Sequence, residues 1–145
     1  MKRHITALLL TLLIAITASA QSHLNVAPLF KGLYKGGAFT ASHLEGKMLK
    51  PYNLTLFRSI TTSDYRIYDD IEALVEKDGK AAIDKESGYM GEKLYYAFYQ
   101  FKPKNNKYQY LFYRNSSLRK NSPNEVTVVY IEGYVTLKEL KKMFK

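Results

Sequence analysis

One stretch, KLYYAFYQFKPKNNKYQYLFYR at 93–114, limits what this chain can fold into more than any other. It carries nine aromatic side chains, and aromatic residues fit the pleated surface of a sheet. The PKNNK segment predicts a tight turn, because Asn105–Asn106 accept positive φ, so the stretch reads as a hairpin. With that turn, Phe101 faces Tyr110, Tyr99 faces Phe112 and Ala97 faces Arg114. One face is then expected to hold Tyr95, Tyr99, Phe101, Tyr110 and Phe112. The other is expected to hold Tyr96, Phe98, Gln100, Gln109, Leu111 and Tyr113. A half-buried hairpin needs only one apolar face, and here both are aromatic. One face packs on helices. The other is either a second core, whose cross-strand pairs contribute about 0.2–1 kcal/mol each, or a ligand platform. In the second case Lys102, Lys104 and Lys107 form its rim.

The rest of the chain supplies the covers. NVAPLFKGLYKGG at 25–37 predicts a first helix capped by Asn25 and stopped at Gly36–Gly37, burying Val26, Leu29, Phe30 and Leu33. AFTASHL and YNLTLFRSI read as strands about a turn at EGKMLKP. SDYRIYDDIEALVEKDG predicts a second helix with Ser63 as N-cap, an Ile67, Ile71, Leu74, Val75 stripe, and Gly79 at its C-cap. KAAIDKESGYMGE is ambiguous between a short strand and a loop. NSSLRKNSPN is a polar loop expected to be mobile. EVTVVYIEG at 125–133 is apolar on both alternating faces, as a central strand covered on both sides should be. The chain ends in a helix with a Thr136–Glu139 capping box and a Val135–Leu140 staple. The predicted order α-β-β-α-β-β-β-α gives a single α+β domain, residues 21–145, with a largely antiparallel sheet.

Targeting is read from the first twenty residues. Lys2 and Arg3, the apolar run Ile5–Thr17 and ASA at 18–20 match a secretory leader cleaved after Ala20. The run is shorter than the ~20 residues of a membrane span, and no second apolar run of that length follows. The expected setting is therefore the periplasm, the cell surface or the outside of the cell. The chain has no cysteine, which excludes disulfides and an acylated-cysteine anchor and leaves stability to an ordinary core. Losing Lys2 and Arg3 lowers the formal net charge from +9 to +7. For an exported protein the polyanions at hand are glycans, lipopolysaccharide and phospholipid headgroups, so no nucleic acid partner is expected. Lys138, Lys141 and Lys142 on the last helix are the candidate anion contacts beside the hairpin lysines.

Catalytic sets are scarce. There is no cysteine and no G-x-S-x-G, and beyond the leader only His23 and His43 remain, so no nucleophilic site, metal site or cofactor is expected. Asp69, Asp70, Glu72 and Glu76 read as the solvated face of the second helix, and Glu132 is a single acid at a strand end.

The leader, the Leu29–Phe30 helix, LTLFRSI with Arg58–Ser59, the aromatic hairpin and the terminal VTVVYIEGYVTLKELKKMF together resemble small exported proteins of unknown function from Bacteroides and its relatives. The resemblance covers the mature chain, implies a Gram-negative periplasm or surface, and brings no catalytic residues with it. The sequence thus points to a non-enzymatic binding or accessory domain that engages an envelope protein or a glycan. Two alternatives stand beside it. One is a carboxylate-dependent polysaccharide hydrolase, and the other binds anionic lipid or lipopolysaccharide through the terminal lysines.

Overall fold

The strand Val126–Gly133 sits inside the sheet, with Val128, Tyr130 and Ile131 fully buried and Val126 nearly so. That is the fate of a segment apolar on both alternating faces. The computed structural model describes residues 23–33 and 38–143, so the leader and the Gly36–Gly37 stop lie outside the described residues. In chain order the elements are α1 (Ala27–Phe30), β1 (Phe39–Glu45), β2 (Leu54–Thr62), α2 (Tyr68–Gly79), β3 (Asp84–Met90), β4 (Lys93–Lys104), β5 (Lys107–Asn115), β6 (Val126–Gly133) and α3 (Leu137–Met143). Among the described residues six strands form one antiparallel sheet in the order β1-β2-β6-β5-β4-β3. The α+β expectation holds, and the ambiguous KAAIDKESGYMGE segment contributes the edge strand β3.

Helices cover the two faces unequally. On one face α2 sets Ile71 and Val75, both 0% exposed, against Leu94, Ala97, Tyr99, Leu111, Tyr113 and Tyr130. Removing side chains of that size from water stabilises by about 1.5–3 kcal/mol each. Gly79 ends α2 there for reasons of space. A Cβ at this position would stand 2.7 Å from the Tyr99 ring, so the glycine serves the ring and not a left-handed cap. Asp78, 2% exposed, accepts the backbone N–H of Asn25 (2.6 Å), the Asn25 amide (2.9 Å) and the N–H of Val26 (3.0 Å). Those bonds fasten α1 to the core. Burial pushes the Asp78 carboxyl up, against the pull of the three donors.

On the other face α3 covers only one end. Thr136 Oγ1 accepts the Glu139 N–H (3.3 Å), which is one half of the predicted capping box, and the Val135 and Leu140 of the predicted staple are both buried. Tyr110 Oη donates to the Val135 carbonyl (2.8 Å), which pins the turn into α3. Leu140 then packs on Tyr110, Ile131, Leu54 and Leu49.

Several local expectations are corrected. α1 is one turn long, because Gly32 takes φ +82° and Leu33 N–H bonds the Pro28 carbonyl, leaving Leu33 54% exposed. Asn25 bonds Asp78 and does not cap the helix. Ser63 is not a cap either. Asp64 accepts the Arg66 N–H (3.1 Å) at a 3₁₀ turn, Tyr65–Ile67, that precedes α2. The 115–124 loop is tied down by Ser116 Oγ bonds to the Pro123 and Glu125 carbonyls (2.7 and 3.1 Å) and by Asn115 accepting the Ser117 N–H.

Candidate ligand groove

The aromatic hairpin turns where expected, with Asn105 and Asn106 at φ +54° and +64° and Lys104 paired with Lys107. Beyond the turn the register slips. Phe101 pairs with Gln109 and not Tyr110, because β4 carries an extra residue between Phe101 and Lys104. Pro103 lies in that interval. Proline has no N–H to give a ladder and is tolerated in strands at bulges and edges. Every pairing after the bulge moves by one residue, giving Tyr99↔Leu111, Phe98↔Phe112, Ala97↔Tyr113 and Tyr96↔Arg114. A second irregularity between Gly88 and Tyr89 makes Tyr95 the extra residue, so Leu94 and Ala97 both face α2. Glu72 of α2 accepts the Leu94 N–H at this point, and burial raises its carboxyl against that bond. Glu72 is therefore not part of a merely solvated face.

The five rings expected on one face are split by these bulges. Tyr99 (4% exposed) and Phe101 (3%) lie under α2, and Tyr110 (0%) lies under α3. Tyr95 sits at the bulge with the Arg119 guanidinium 5.7 Å from its ring centroid. Phe112 alone of the five lines an accessible site. Its companions are Phe98 and Tyr96, which the expected register places on the opposite face. Lys102, Lys104 and Lys107 stand at the hairpin tip, away from that site, and Lys138 and Lys142 are on α3 outside it. Of the candidate anion contacts only Lys141 reaches it.

The site is a groove of about 610 Å³ where α3 stops short on the open face. Phe98 and Phe112 form its floor, edge to face with centroids 3.8 Å apart, and Val129 continues it. Tyr96 and Arg114 lie one pleat further along, and the Tyr96 ring occupies the space over Gly88 where a Cβ would meet it at 2.5 Å. Lys141 forms one wall, 2.6 Å from Glu86 Oε2 and 5.6 Å from the Phe98 centroid, and the Glu86 partner raises the Lys141 ammonium. Ser116, Pro123 and Glu125 form the other wall. The groove charges balance, with Arg114 and Lys141 against Glu86 and Glu125.

Other candidates gather no chemistry. His43 Nε2 lies 2.5 Å from Glu45, and Arg58 Nε donates to His43 Nδ1 (3.2 Å) on an exposed sheet edge. Glu132 accepts the Tyr130 hydroxyl (2.7 Å), and Asp69 pairs with Lys93 (2.5 Å). Among the described residues no three His, Cys, Asp or Glu side chains converge as a metal set would, and no helix is long and apolar enough to cross a membrane.

Fold and groove define an α+β domain whose sheet is sealed by a helix on one face and left partly open on the other. The chain belongs to a family of unknown function, DUF6108, whose model matches residues 13–144. No curated protein and no solved structure matches it.

Proposed function

We propose that this protein is an exported, non-enzymatic binding domain whose groove seats a neutral glycan. The observation that supports this most is the pair of rings, Phe98 and Phe112, left accessible on the floor of a sizeable groove with few, balanced charges around it. Mostly apolar clefts with a few placed polar groups are the usual form of a small-ligand seat. On a sheet face every backbone N–H and C=O is already spent in the ladders. An extended peptide lying there would find few partners for its own backbone, which favours edges over faces for peptides. A sugar instead offers an apolar C–H face to a ring and keeps its hydroxyls at the rim. The charge balance disfavours a polyanion in the groove. Lys138 and Lys142, outside the groove, leave anionic lipid or lipopolysaccharide as a salt-sensitive surface interaction.

The hydrolase reading is weaker. Glu86 is paired with Lys141, and its strand lies three strands from the β6 side on which Glu125 stands, about 14 Å at sheet spacing. A glycosidase pair stands about 5–10 Å apart.

A thermal-shift panel of neutral polysaccharides, sulfated glycans, lipopolysaccharide and peptidoglycan fragments, each at low and high salt, tests the proposal. The expected result is a salt-resistant shift from a neutral glycan that Tyr96→Ala and Phe112→Ala abolish. A response confined to polyanions at low salt, unchanged in those variants, would refute the groove as the seat.

A further inference from the structure

The groove does not end at Val129. The strand registers align two rows of side chains across the whole open face. One runs Glu86, Phe98, Phe112, Val129, Ser59, Ser42, and the other runs Gly88, Tyr96, Arg114, Thr127, Thr61, Thr40. From β3 to β6 these rows carry the rings. From β6 to β1 they carry only short hydroxyl side chains beyond Val129, namely Thr127, Thr61, Ser59, Ser42 and Thr40. Thr40 and Ser42 are exposed and the other three half-buried, so among the described residues no helix seals these rows. The Thr61 and Thr127 hydroxyls touch at 3.1 Å. At the opposite end Gly88 presents no side chain to the sheet edge.

We infer that the site is a track for a linear, neutral polysaccharide, with the ring groove holding one segment of the chain and the hydroxyls of β6, β2 and β1 holding the next; this rests on the glycan reading above. Five strand intervals separate β3 from β1, about 24 Å at sheet spacing, of which the groove spans about 14 Å. That is room for a chain of several sugar units. Each serine or threonine hydroxyl donates one hydrogen bond and accepts others, as a sugar hydroxyl does. None of the five carries charge, so a neutral chain is complementary to this half and a polyanion gains nothing from it.

The test is a calorimetric titration of the full protein with β-1,4-linked glucose and N-acetylglucosamine oligomers, from the disaccharide to the octamer. Two added hydrogen bonds at about 0.5–1.5 kcal/mol each predict an affinity gain of roughly 5- to 150-fold once the oligomer outgrows the groove. Thr40→Arg with Ser42→Arg, both exposed on the edge strand, are expected to erase that gain and leave disaccharide affinity unchanged. Tyr96→Ala is expected to weaken every length. Disaccharide binding with no dependence on length would overturn the track while leaving the glycan reading intact. A length gain that survives the arginine pair would also overturn it. Absence of binding by every oligomer of both series would overturn the two together.

Discussion

Two tyrosines three residues apart on β5 invite the same substitution with opposite outcomes. Tyr110 and Tyr113 are 0% and 2% exposed, on opposite faces of the strand. Tyr110 Oη donates to the Val135 carbonyl at 2.8 Å, whereas Tyr113 Oη is buried with no partner at hydrogen-bond distance among the described residues and only a weaker approach to the Asn115 side chain. Tyr110→Phe strands a buried carbonyl, a penalty of about 1–3 kcal/mol. Tyr113→Phe removes a desolvated hydroxyl that Asn115 compensates only weakly and keeps the ring, so it is expected to stabilise by about 1 kcal/mol. The two variants should differ by roughly 2–4 kcal/mol. For a domain of this size that separates their midpoints by about 6–16 °C, with wild type between them. Thermal unfolding followed by circular dichroism gives the midpoints, and urea titration at constant m-value gives the free energies. A Tyr113→Phe variant that loses as much stability as Tyr110→Phe would show that the hydroxyl is satisfied and the reasoning wrong.

Alkaline pH should unfold the protein through its tyrosines. Burial pushes Tyr99 and Tyr110 up to about 12, and Tyr113 and Tyr130 higher still. Their folded values lie above the unfolded value near 10, so the stability they contribute is whole below pH 10 and is lost as pH rises through 12. The buried tyrosines should ionise only together with loss of the far-ultraviolet signal, and their reversible ionisation at constant circular dichroism would count against this. Asp78→Ala should free α1 by leaving the Asn25 and Val26 N–H groups without their acceptor. The expected loss is about 2–3 kcal/mol with faster amide exchange from Val26 to Leu29, and unchanged exchange there would contradict the anchoring role.

Much of this architecture is legible where one physical signal dominates. VTVVYI announces a strand buried on both faces, Asn105–Asn106 announces the turn, and Thr136 with Val135 and Leu140 announces how α3 starts. The edge strand β3 is not legible, because DKESGYM is mostly exposed and an edge strand has no apolar face to write an alternation. The groove is illegible for a different reason. Strand periodicity assigns faces only while the register holds, and each of the two bulges in β4 reverses the parity of the residues beyond it. Pro103 is the available signal for one of them, since a proline inside a strand marks a bulge or an edge. Taken as a bulge, it moves Phe98 and Tyr96 to the face of Phe112.

The position of β6 bears on when this protein folds. β2 and β5, its two neighbours, are complete by Asn115, yet they are joined in the sheet only through Val126–Gly133. Until that segment is available the chain can form a β1–β2 hairpin and a β3–β4–β5 meander, two separate fragments with open edges. Their union requires pairing across long sequence separations, which is slow because loop entropy is lost before the contacts form. A chain built this way stays loose until nearly all of it has been made. That delay would suit the export proposed above, and it places the greatest exposure to aggregation in the interval before β6 closes the sheet.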